Sequence, residues 1–496
     1  SVSTSASIID DHRRPGNSAG SVRSFAPATP RDMKPDEFRR AAHEAVDWVA
    51  DYLERVESLP VLSSIEPGSV RASLPPHPPE TGESWDDILA DLDRVVLPGI
   101  THWQSPNFFA YFPGNSSGPS VIGDLVSSGL GVQGMLWATS PACTEIETHV
   151  LDWLVELLGL PEAFRGNGVI QDSASSATLC AIVAARDRVS PTVDRTKLRA
   201  YTSNQAHSSV EKGIRVAGLR ADQLRLVDVD DTYALRTDAL AAAIADDLAA
   251  GLVPFLVVAT VGTTSSAAID PVTEIVDVVE RHGVWVHVDA AYAGSAAVVP
   301  GLRSLVNVGL DRVDSWCFDP HKWLLTNFDC DVLYVSDRSA LISSLSVLPE
   351  YLRNAASESG AVIDYRDWHV PLGRRFRALK LWFVLRHYGA VGLRDHITRH
   401  TDSARWLAEQ IDADDRFERL APTELSLVCF AGREGDEATE RLLHAINSSG
   451  QAFVTHTRLA GRYAIRVAIG ATQTEHRHVE QLWTRIKQLS DGTSVH

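Results

Sequence analysis

The spacing of hydrophobic residues near the start of the chain indicates a helical segment. Five apolar residues recur there at intervals of three or four: Phe38, Ala42, Val46, Val49 and Leu53. This spacing predicts an amphipathic helix over 34–56. A proline-rich stretch at 74–79 must be extended, and a second helix is predicted over 85–97. We do not expect this helical segment, 33–118, to form a core of its own.

Farther along the chain the pattern changes to an alternation of helices and strands. Between 119 and 379, helical patterns alternate with short apolar runs. These runs lie at 224–229, 255–261, 284–288 and 332–335. The alternation predicts an α/β domain with a mostly parallel sheet. After Arg377, a long helix and three short apolar runs predict a smaller α+β domain over 380–496. The runs lie at 427–430, 452–455 and 463–467.

Composition and charge narrow the classes of partner. The formal net charge of -18 argues against nucleic acid and anionic membranes. The five cysteines form no CxxC pair, which is typical of a reducing compartment. We see no long apolar leader and no run that approaches a membrane span, so we expect a cytoplasmic protein. Residues 1–32, rich in Ser, Pro, Arg and Ala, are expected to form a disordered tail.

Lys322 lies in an unusual setting, between the imidazole of His321 and the indole of Trp323. An apolar run precedes it, and Pro320 cannot continue a central strand. A lysine with such neighbours loses hydration, which favours its neutral amine, the form that Schiff-base chemistry requires. Alternatively, the lysine rests its aliphatic stem on Trp323 and keeps its charged head in water.

A second stretch, at 284–294, favours the chemical interpretation. It has the pattern of a buried strand that ends in Asp289, followed by the small residues Ala290 and Ala291, which leave room for a flat ring. Enzymes that use pyridoxal 5'-phosphate (PLP) employ such an aspartate to keep the ring nitrogen protonated. The motifs His-Val-Asp-Ala-Ala-Tyr-Ala-Gly and Pro-His-Lys-Trp together resemble the group II PLP-dependent decarboxylases, in particular the aromatic-L-amino-acid decarboxylase branch. The resemblance extends from about Met33 to the last helix.

The resemblance implies a fold and an assembly. The fold is α/β, PLP-dependent fold type I (aspartate aminotransferase-like), with the mostly parallel sheet in a large PLP-binding domain at 119–379 and the smaller α+β domain after it. A homodimer with shared active sites is implied, in which the segment 33–118 packs on the partner subunit.

The resemblance also assigns the cofactor site. Lys322 carries PLP, Asp289 holds its ring nitrogen protonated, and His207 stacks on the ring near the substrate carboxylate. Asp270 is expected to order the loop that carries Thr264. The remaining cofactor-binding residues are implied to be Ser173, Ala174, Ser175, Thr264, Ala291 and His321.

The predicted phosphate site has a simpler alternative. Ser173, Ala174 and Ser175 stand before an apolar helical run at 177–185, and the N–H groups and dipole of a helix N-terminus suit a phosphate. Serine in this position is also an ordinary helix cap.

Two carboxylates depart from the family's pattern at this site. Asp172 stands in place of a glycine, and Asp319 in place of the asparagine of the vertebrate-type motif. Either carboxylate would repel the phosphate if it pointed at it. We expect both to point elsewhere or to be offset by His321.

Tyr351 lies in a segment that resembles the family's mobile catalytic loop. A phenol placed there can return a proton to Cα after CO2 leaves. Phenylalanine at this position accompanies aldehyde formation in the family, so tyrosine favours plain decarboxylation. Alternatively, Tyr351 only packs within a loop.

Aromatic residues are implied to set the shape of the substrate site. The residues implied to form its walls are Trp103, Tyr111, Phe112, Pro113 and Gly114, with Gln133 and Met135 from the partner subunit. Gly373 matches a position where members with indole substrates tend to carry glycine and phenol-preferring plant members serine. The aromatic residues could equally belong to the core.

Two glycine motifs suggest other classes of protein. GxGxxG at 129–134 follows a helical pattern rather than a strand, so dinucleotide binding is disfavoured. GxSxG at 114–118 suggests a serine hydrolase that uses Ser116. However, Pro119 and small residues come where a nucleophile elbow needs a helix.

His396 and His400 are spaced as in a zinc site, four residues apart. Ile397 takes the place of the glutamate in that motif, and no third ligand is evident. We therefore predict no metal site and assign the two histidines to a solvated helix face.

These observations lead to one functional hypothesis and its rivals. We expect PLP-dependent decarboxylation of an aromatic L-amino acid to the arylalkylamine, with a tryptophan-like substrate slightly favoured. The rivals are an aromatic aldehyde synthase on the same scaffold, a serine hydrolase, and an inactive binding protein, against which the set of Lys322, Asp289 and His207 argues.

Overall fold

A computed structural model describes residues 32–189, 193–347 and 362–493. The strands in these ranges are β1 (Gly168–Gln171), β2 (Leu198–Ser203), β3 (Leu224–Val227), β4 (Val253–Thr260), β5 (Trp285–Asp289), β6 (Ser315–Phe318), β7 (Asp331–Val335), β8 (Phe417–Arg419), β9 (Leu427–Gly432), β10 (Thr455–Leu459) and β11 (Arg462–Ala468). The α-helices are α1 (Pro35–Arg55), α2 (Ser69–Ser73), α3 (Trp85–Asp91), α4 (Gly118–Leu130), α5 (Pro141–Leu158), α6 (Ala174–Arg188), α7 (Ser209–Val216), α8 (Thr237–Ala249), α9 (Val272–Val279), α10 (Arg303–Val306), α11 (Pro320–Trp323), α12 (Arg338–Leu345), α13 (Arg377–Asp412), α14 (Asp436–Ser448) and α15 (His476–Thr493).

The larger sheet has seven strands in the order β1-β7-β6-β5-β4-β2-β3. Strands β2 to β6 pair in parallel, and β7 runs antiparallel to both of its neighbours, β1 and β6. Helices pack on the sheet, as the alternating pattern predicts. The prediction of an α/β fold with a mostly parallel sheet is confirmed.

The topology brings the carboxyl ends of six strands to one edge of this sheet. Every strand except β7 points the same way, so these ends lie along the same edge. In open α/β sheets, ligands bind beyond this edge. The predicted cofactor residues follow these strands, which explains how residues far apart in the sequence come together.

The smaller sheet is antiparallel, with the order β10-β11-β9-β8, and helices α14 and α15 pack on it and on each other. The long helix α13 packs against α4 and α5 and leads into this sheet. Gly389 interrupts α13 with a φ of 59°, a left-handed conformation that favours glycine. A smaller α+β unit at the end of the chain is therefore present, whereas the exact domain boundaries stay predictions.

One predicted strand, at 452–455, is wrong. Only Thr455 belongs to a strand, β10. The N–H of Val454 donates to Oδ1 of Asn447 at 2.9 Å, and the carbonyl of Val454 accepts from Nδ2 of Asn447 at 3.0 Å. The backbone polar groups of Val454 therefore bind a side chain instead of a neighbouring strand.

The N-terminal helices bury little of their own apolar surface. Of the residues in α1, only Ala41 is buried, whereas Phe38 and Val46 are exposed. Trp48 and Arg55 bind Asp93 and so link α1 to the segment after α3. A small buried cluster in this segment consists of Val61, Phe108 and Ala110, and Phe453 from the end of the chain packs against it. That the segment forms no core of its own stays a prediction. Among the described residues, no helix combines the length and apolar character that crossing a membrane requires.

Candidate active site

A cavity of about 250 Å³ lies at the carboxyl edge of the large sheet. It is lined by every described residue that was predicted to bind the cofactor: Ser173, Ala174, Ser175, His207, Thr264, Asp289, Ala291, His321 and Lys322. Of the predicted substrate residues, Phe112 lines it. Asp319 and Tyr292 are also in its wall.

The N-terminus of α6 faces this cavity. Ser173 is the N-cap, and its Oγ accepts the N–H of Ser176 at 3.3 Å. Ala174 and Ser175, in the first turn, also line the cavity. Ser173 therefore caps the helix, and the same helix end offers N–H groups and a positive dipole to an anion. The two interpretations of this stretch are compatible.

The Asp172 carboxylate is directed at its neighbour. Oδ1 of Asp172 accepts a hydrogen bond from Oγ of Ser173 at 3.2 Å. Within the described ranges, the residues that line the cavity do not include Asp172. Asp172 therefore contacts Ser173 without forming part of the cavity wall, and its orientation relative to a bound phosphate stays a prediction.

Asp289 ends β5 and is 4% exposed at the base of the cavity. Its Oδ1 accepts the N–H of Ala291 at 3.0 Å. Burial raises the pKa of Asp289, while the charge of Lys322 and the Ala291 N–H oppose this rise. A protonated ring nitrogen would provide this carboxylate with a positively charged partner.

The amine of Lys322 is paired with a carboxylate. Its Nζ lies 2.8 Å from Oδ2 of Asp319, and the Lys322 side chain is 28% exposed. Burial alone would lower the pKa of Lys322, but the charges of Asp319 and Asp289 outweigh it and raise that pKa. The expectation that lost hydration makes this amine neutral is therefore wrong, because the neighbouring carboxylates stabilise the ammonium form.

Lys322 offsets the charge of Asp319. Burial opposes ionisation of Asp319, but Lys322 and His321 hold its pKa below the ordinary value. Nδ1 of His321 accepts the N–H of Cys330 at 3.0 Å, and Nε2 lies 3.5 Å from Oδ1 of Asp319. Burial lowers the pKa of His321, which favours its neutral ring at neutral pH. The compensating charge that was expected from His321 is therefore supplied by Lys322.

His207 follows β2 and is oriented by the helix after it. Nδ1 of His207 accepts the N–H of Ser209 at 3.2 Å and lies 2.9 Å from Oγ of Ser209. In the neutral ring, Nε2 therefore carries the proton. This arrangement holds the imidazole at the cavity wall, with its Nε2–H as a hydrogen-bond donor.

The loop after β4 is ordered by Asp270. This carboxylate is 1% exposed and accepts the N–H groups of Thr260 at 2.7 Å and of Leu235 at 2.8 Å. The loop brings Thr264 to the cavity, where its carbonyl accepts from Nε of Arg466 at 2.8 Å.

A stack of aromatic rings supports one wall of the cavity. The rings of Phe112 and Tyr292 are 3.8 Å apart at an angle of 7°, and those of Tyr292 and Trp323 are 4.7 Å apart at 15°. The guanidinium of Arg466 lies 5.0 Å from the centre of the Phe112 ring. Since Trp323 follows Lys322 directly, this stack fixes the backbone that carries the lysine.

The two histidines of α13 continue this stack and are not on a solvated face. His396 is 3% and His400 1% exposed. Nδ1 of His400 accepts the indole N–H of Trp323 at 3.0 Å, and its Nε2 lies 3.3 Å from the carbonyl of Thr474. The prediction of a solvated face is wrong, because Trp323 and the backbone at Thr474 pack against His400 on this face.

Four of the predicted substrate residues lie outside the cavity wall of the single chain. Trp103 and Tyr111 stack with their ring centres 5.6 Å apart and are 42% and 50% exposed. Gly114 lies beside Trp103, and Pro113 is buried against Gly470. Their role at the substrate stays a prediction.

The three remaining substrate residues lie close to one another. Oε1 of Gln133 accepts the N–H of Arg374 at 3.2 Å, next to Gly373. The carbonyl of Met135 accepts from the N–H of Arg366 at 3.1 Å. These residues also lie outside the cavity wall of their own chain. Tyr351, the predicted proton donor, lies outside the described residues.

The Ser116 motif lacks the strand that a nucleophile elbow requires. The preceding stretch, 108–112, contains only the isolated bridge of Phe108 to Phe453. The expectation that Pro119 delays the next helix is wrong, since α4 begins at Gly118 and proline fits its first turn. The helix after Ser116 is thus present, and the argument against a hydrolase is that the described residues before Ser116 form no strand.

Sequence reasoning missed three residues of the site. Tyr292 and Arg466 support Phe112, and Asp331 lies behind Asp319. Tyr292 is part of the quoted motif after Asp289, so that motif offered a signal. Asp331 offered another, since it is an acidic residue at the start of the apolar run at 332–335.

The chemistry of the cavity lining fits PLP. A helix N-terminus with two serines suits the phosphate, Asp289 the ring nitrogen, and Lys322 the aldehyde carbon. The residues that PLP chemistry requires are therefore present in one cavity.

Comparisons with known proteins agree with this assignment. The family profile described as the pyridoxal-dependent decarboxylase conserved domain matches residues 67–433. Tyrosine decarboxylase 2 of Narcissus pseudonarcissus is 46% identical over 91% of this chain and 94% of its own length. Phenylacetaldehyde synthase of Arabidopsis thaliana is 44% identical over 92% of this chain and 96% of its own length.

A solved structure extends the likeness to the fold. The crystal structure of Oryza sativa TDC with PLP and tryptamine superposes on this chain with a TM-score of 0.91 and 42% sequence identity. The match includes 94% of this chain and 100% of the TDC chain. The fold is PLP-dependent fold type I, as the motifs implied, and the cofactor is PLP. The chain belongs to the pyridoxal-dependent decarboxylase family.

Proposed function

We propose that this protein removes CO2 from an aromatic L-amino acid and releases the arylalkylamine. One observation carries the proposal: Lys322, Asp289 and His207 share a single cavity with the N-terminus of α6 and the ring of Phe112. The similarity to the plant enzymes described above supports an aromatic substrate.

The residues of the cavity have separate roles in the proposed reaction. When bound, PLP supplies the electron sink for the electrons that remain on Cα as CO2 leaves. Lys322 holds the cofactor through its amine, and Asp289 keeps the ring nitrogen protonated. Ser173, Ser175 and the α6 N-terminus hold the phosphate. His207 covers the ring and offers its Nε2 proton on the substrate side.

A proton must return to Cα after decarboxylation. We assign this step to Tyr351, whose phenol can act as the general acid, with His207 as an aid. The assignment rests on the resemblance of the segment around Tyr351 to the family's catalytic loop.

The substrate ring is proposed to lie between two groups of residues. Trp103, Tyr111, Phe112, Pro113 and Gly114 form the wall supplied by one subunit. Gln133, Met135 and Gly373 form the wall supplied by its partner. The absence of a side chain at Gly373 leaves room for an indole, which slightly favours a tryptophan-like substrate.

We further propose a homodimer with shared active sites. Exposed apolar residues on α1 and α4 support it, since a monomer rarely leaves such helix faces in water. They are Phe38 (53% exposed), Val46 (52%), Ile122 (55%), Leu125 (46%) and Leu130 (58%). The half-exposed Trp103 and Tyr111 fit the same assembly, in which a partner would cover them. The five cysteines, all free and buried, support a cytoplasmic location.

An aromatic aldehyde synthase is the second candidate. It is favoured by the 44% identity to phenylacetaldehyde synthase. The two activities differ in product. The synthase consumes O2 and water and releases an aldehyde, CO2, ammonia and hydrogen peroxide, whereas the decarboxylase releases an amine and CO2.

A competition assay distinguishes these candidates. The purified protein with PLP is given tryptophan, 5-hydroxytryptophan, phenylalanine, tyrosine and DOPA together, and amines and aldehydes are quantified by mass spectrometry. We expect tryptamine to dominate and Lys322→Ala to form none. Dominant aldehyde would support the synthase. Turnover without PLP that is lost in Ser116→Ala would support a hydrolase.

A further inference from the structure

Asp331 is a buried acid without a visible proton donor. It begins β7 and is 0% exposed. In the part of the chain that the structure describes, no N–H or O–H group donates to either of its carboxyl oxygens, nor to Oδ1 of Asp319. Buried carboxylates are rarely left in this state, because an unpaired charge in a protein interior is strongly unfavourable.

The sheet places Asp331 directly behind the active site. In the β1–β7 pair it lies opposite Gln171, two residues before Ser173. Its neighbour Val332 lies opposite Phe318, the residue before Asp319. Continued by one residue, this antiparallel register sets Asp319 opposite Asp331, and residues opposite each other in such a pair have Cβ atoms about 4.5–5.5 Å apart. Two buried carboxylates this close do not both ionise, so one of the pair is protonated.

The surrounding charges decide which acid holds the proton. Lys322 contacts Oδ2 of Asp319 at 2.8 Å, and His321 lies 3.5 Å from its Oδ1. Asp331 lacks such a contact, and Asp289 adds a further negative charge nearby. The thiols around Asp331 stay neutral, because burial raises the pKa of each: Cys180, Cys317 and Cys330.

The electrostatics of the two acids therefore differ in direction. Burial, together with the charge of Asp319, raises the pKa of Asp331 well above its ordinary value. Lys322 and His321 hold the pKa of Asp319 below its ordinary value despite burial.

We propose that Asp319 and Asp331 share one proton, carried by Asp331, and that Asp331 is a positioning residue that holds Asp319 against the amine of Lys322. The pair then bears one negative charge, which Lys322 balances. This inference deepens the proposed function, because it takes Lys322 as the lysine that binds the cofactor. It also explains how a carboxylate at position 319 is compatible with a phosphate in the same cavity.

Infrared spectroscopy of the cofactor-free protein tests the shared proton without any catalytic step. We expect the wild-type protein at neutral pH to show the C=O stretch of a protonated carboxylic acid. The difference spectrum of the wild type and Asp331→Asn should contain such a band, whereas the difference spectrum of the wild type and Asp311→Asn, on an exposed residue, should not. Other buried acids such as Asp289 cancel in these differences. A difference spectrum for Asp331→Asn without the band would overturn the proposal. Circular dichroism verifies that each variant is folded. If Asp331→Asn does not fold, Asp331→Ser, which keeps a hydrogen-bond donor, takes its place.

The cofactor's absorbance in the holoenzyme gives a second readout. The absorbance of bound PLP changes with pH, and the midpoint of this change is the quantity compared. In Asp319→Asn we expect the midpoint to fall by about 1–3 pH units, because a neighbouring negative charge is lost. Asp331→Asn replaces a neutral acid by a neutral amide, so its midpoint should move by less than about half a unit. Equal shifts in both variants would mean that both acids are ionised and would contradict the proposal. Neither outcome depends on the substrate, so a failed assay for aromatic amines leaves this test intact.

Discussion

Arg374 and Glu147 form a buried ion pair with two hydrogen bonds, of 2.7 and 3.0 Å, and each side chain is 1% exposed. Arg374 also donates to the carbonyl of Ile170 at 2.8 Å, in the strand that leads to Ser173. Its backbone N–H binds Gln133. Arg374 thus links the strand that leads to Ser173, through its guanidinium, to the proposed substrate wall at Gln133 and Gly373, through its backbone.

Removal of one partner of this pair should destabilise the protein strongly. We expect Glu147→Ala to lower the free energy of unfolding by about 3–5 kcal/mol, because it leaves the Arg374 charge buried and uncompensated. Denaturant unfolding measures the change, with Glu145→Ala, on an exposed residue of the same helix, as the control. A loss in Glu147→Ala no larger than in the control would show that the pair does not hold these elements together.

Tyr351→Phe should change the product rather than abolish turnover. Without the phenol, the proton returns to Cα more slowly, and the product shifts from amine toward aldehyde. Mass spectrometry of both products measures the ratio, and Tyr388→Phe, on a helix away from the cavity, serves as the control. An unchanged ratio would remove the proton-donor role from Tyr351.

Gly373→Ser should shift substrate preference. A Cβ at this position would lie 3.5 Å from Oε1 of Gln133, an ordinary contact, so the variant should fold. If Gly373 faces the substrate ring, the added hydroxyl should lower the ratio of kcat/KM for tryptophan over tyrosine by about tenfold. Gly301→Ser, in open space, is the matched control. A ratio equal to that of the control would separate Gly373 from specificity.

His400 should make the folded state sensitive to acid. Burial lowers its pKa from 6.5 to about 4. Between these two values the unfolded chain binds a proton at this residue and the folded protein does not, so falling pH favours unfolding. His400→Asn keeps an acceptor for the Trp323 N–H without titrating. On acidification from pH 6.5 to 4, the free energy of unfolding should therefore fall by about 3 kcal/mol less in His400→Asn than in the wild type.

Denaturant unfolding at several pH values measures this difference, and His444→Asn, on a residue whose side chain is 70% exposed, should follow the wild type. If the free energy of unfolding fell equally with pH in the wild type and in His400→Asn, His400 would not be a source of the acid sensitivity.

The sequence was most informative where chemistry and local pattern coincide. The run at 284–288 followed by Asp289 predicted both β5 and the acid at its end. The setting of Lys322 pointed to the right residue, but local reasoning gave the wrong charge state. That state depends on Asp289, distant in sequence, and on the side-chain conformation of Asp319.

Burial of polar residues was the least predictable feature. His396 and His400 were assigned to solvent, because the spacing on α13 does not reveal that Trp323 packs there. Asp331 resembled the edge of an ordinary strand, and only the pairing of β7 with β1 and β6 brings it behind Asp319. Such placements follow from the order of strands in the sheet, which local periodicity does not contain.

Borohydride reduction followed by peptide mapping tests the central claim most directly. Reduction of the holoenzyme fixes PLP on the lysine that carries it, and mass spectrometry of the digest locates the added mass. The account predicts that the mass lies on Lys322 and is absent from that peptide in Lys322→Ala. A label on another lysine, such as the buried Lys380, or a holoenzyme that takes up PLP without labelling Lys322, would contradict it.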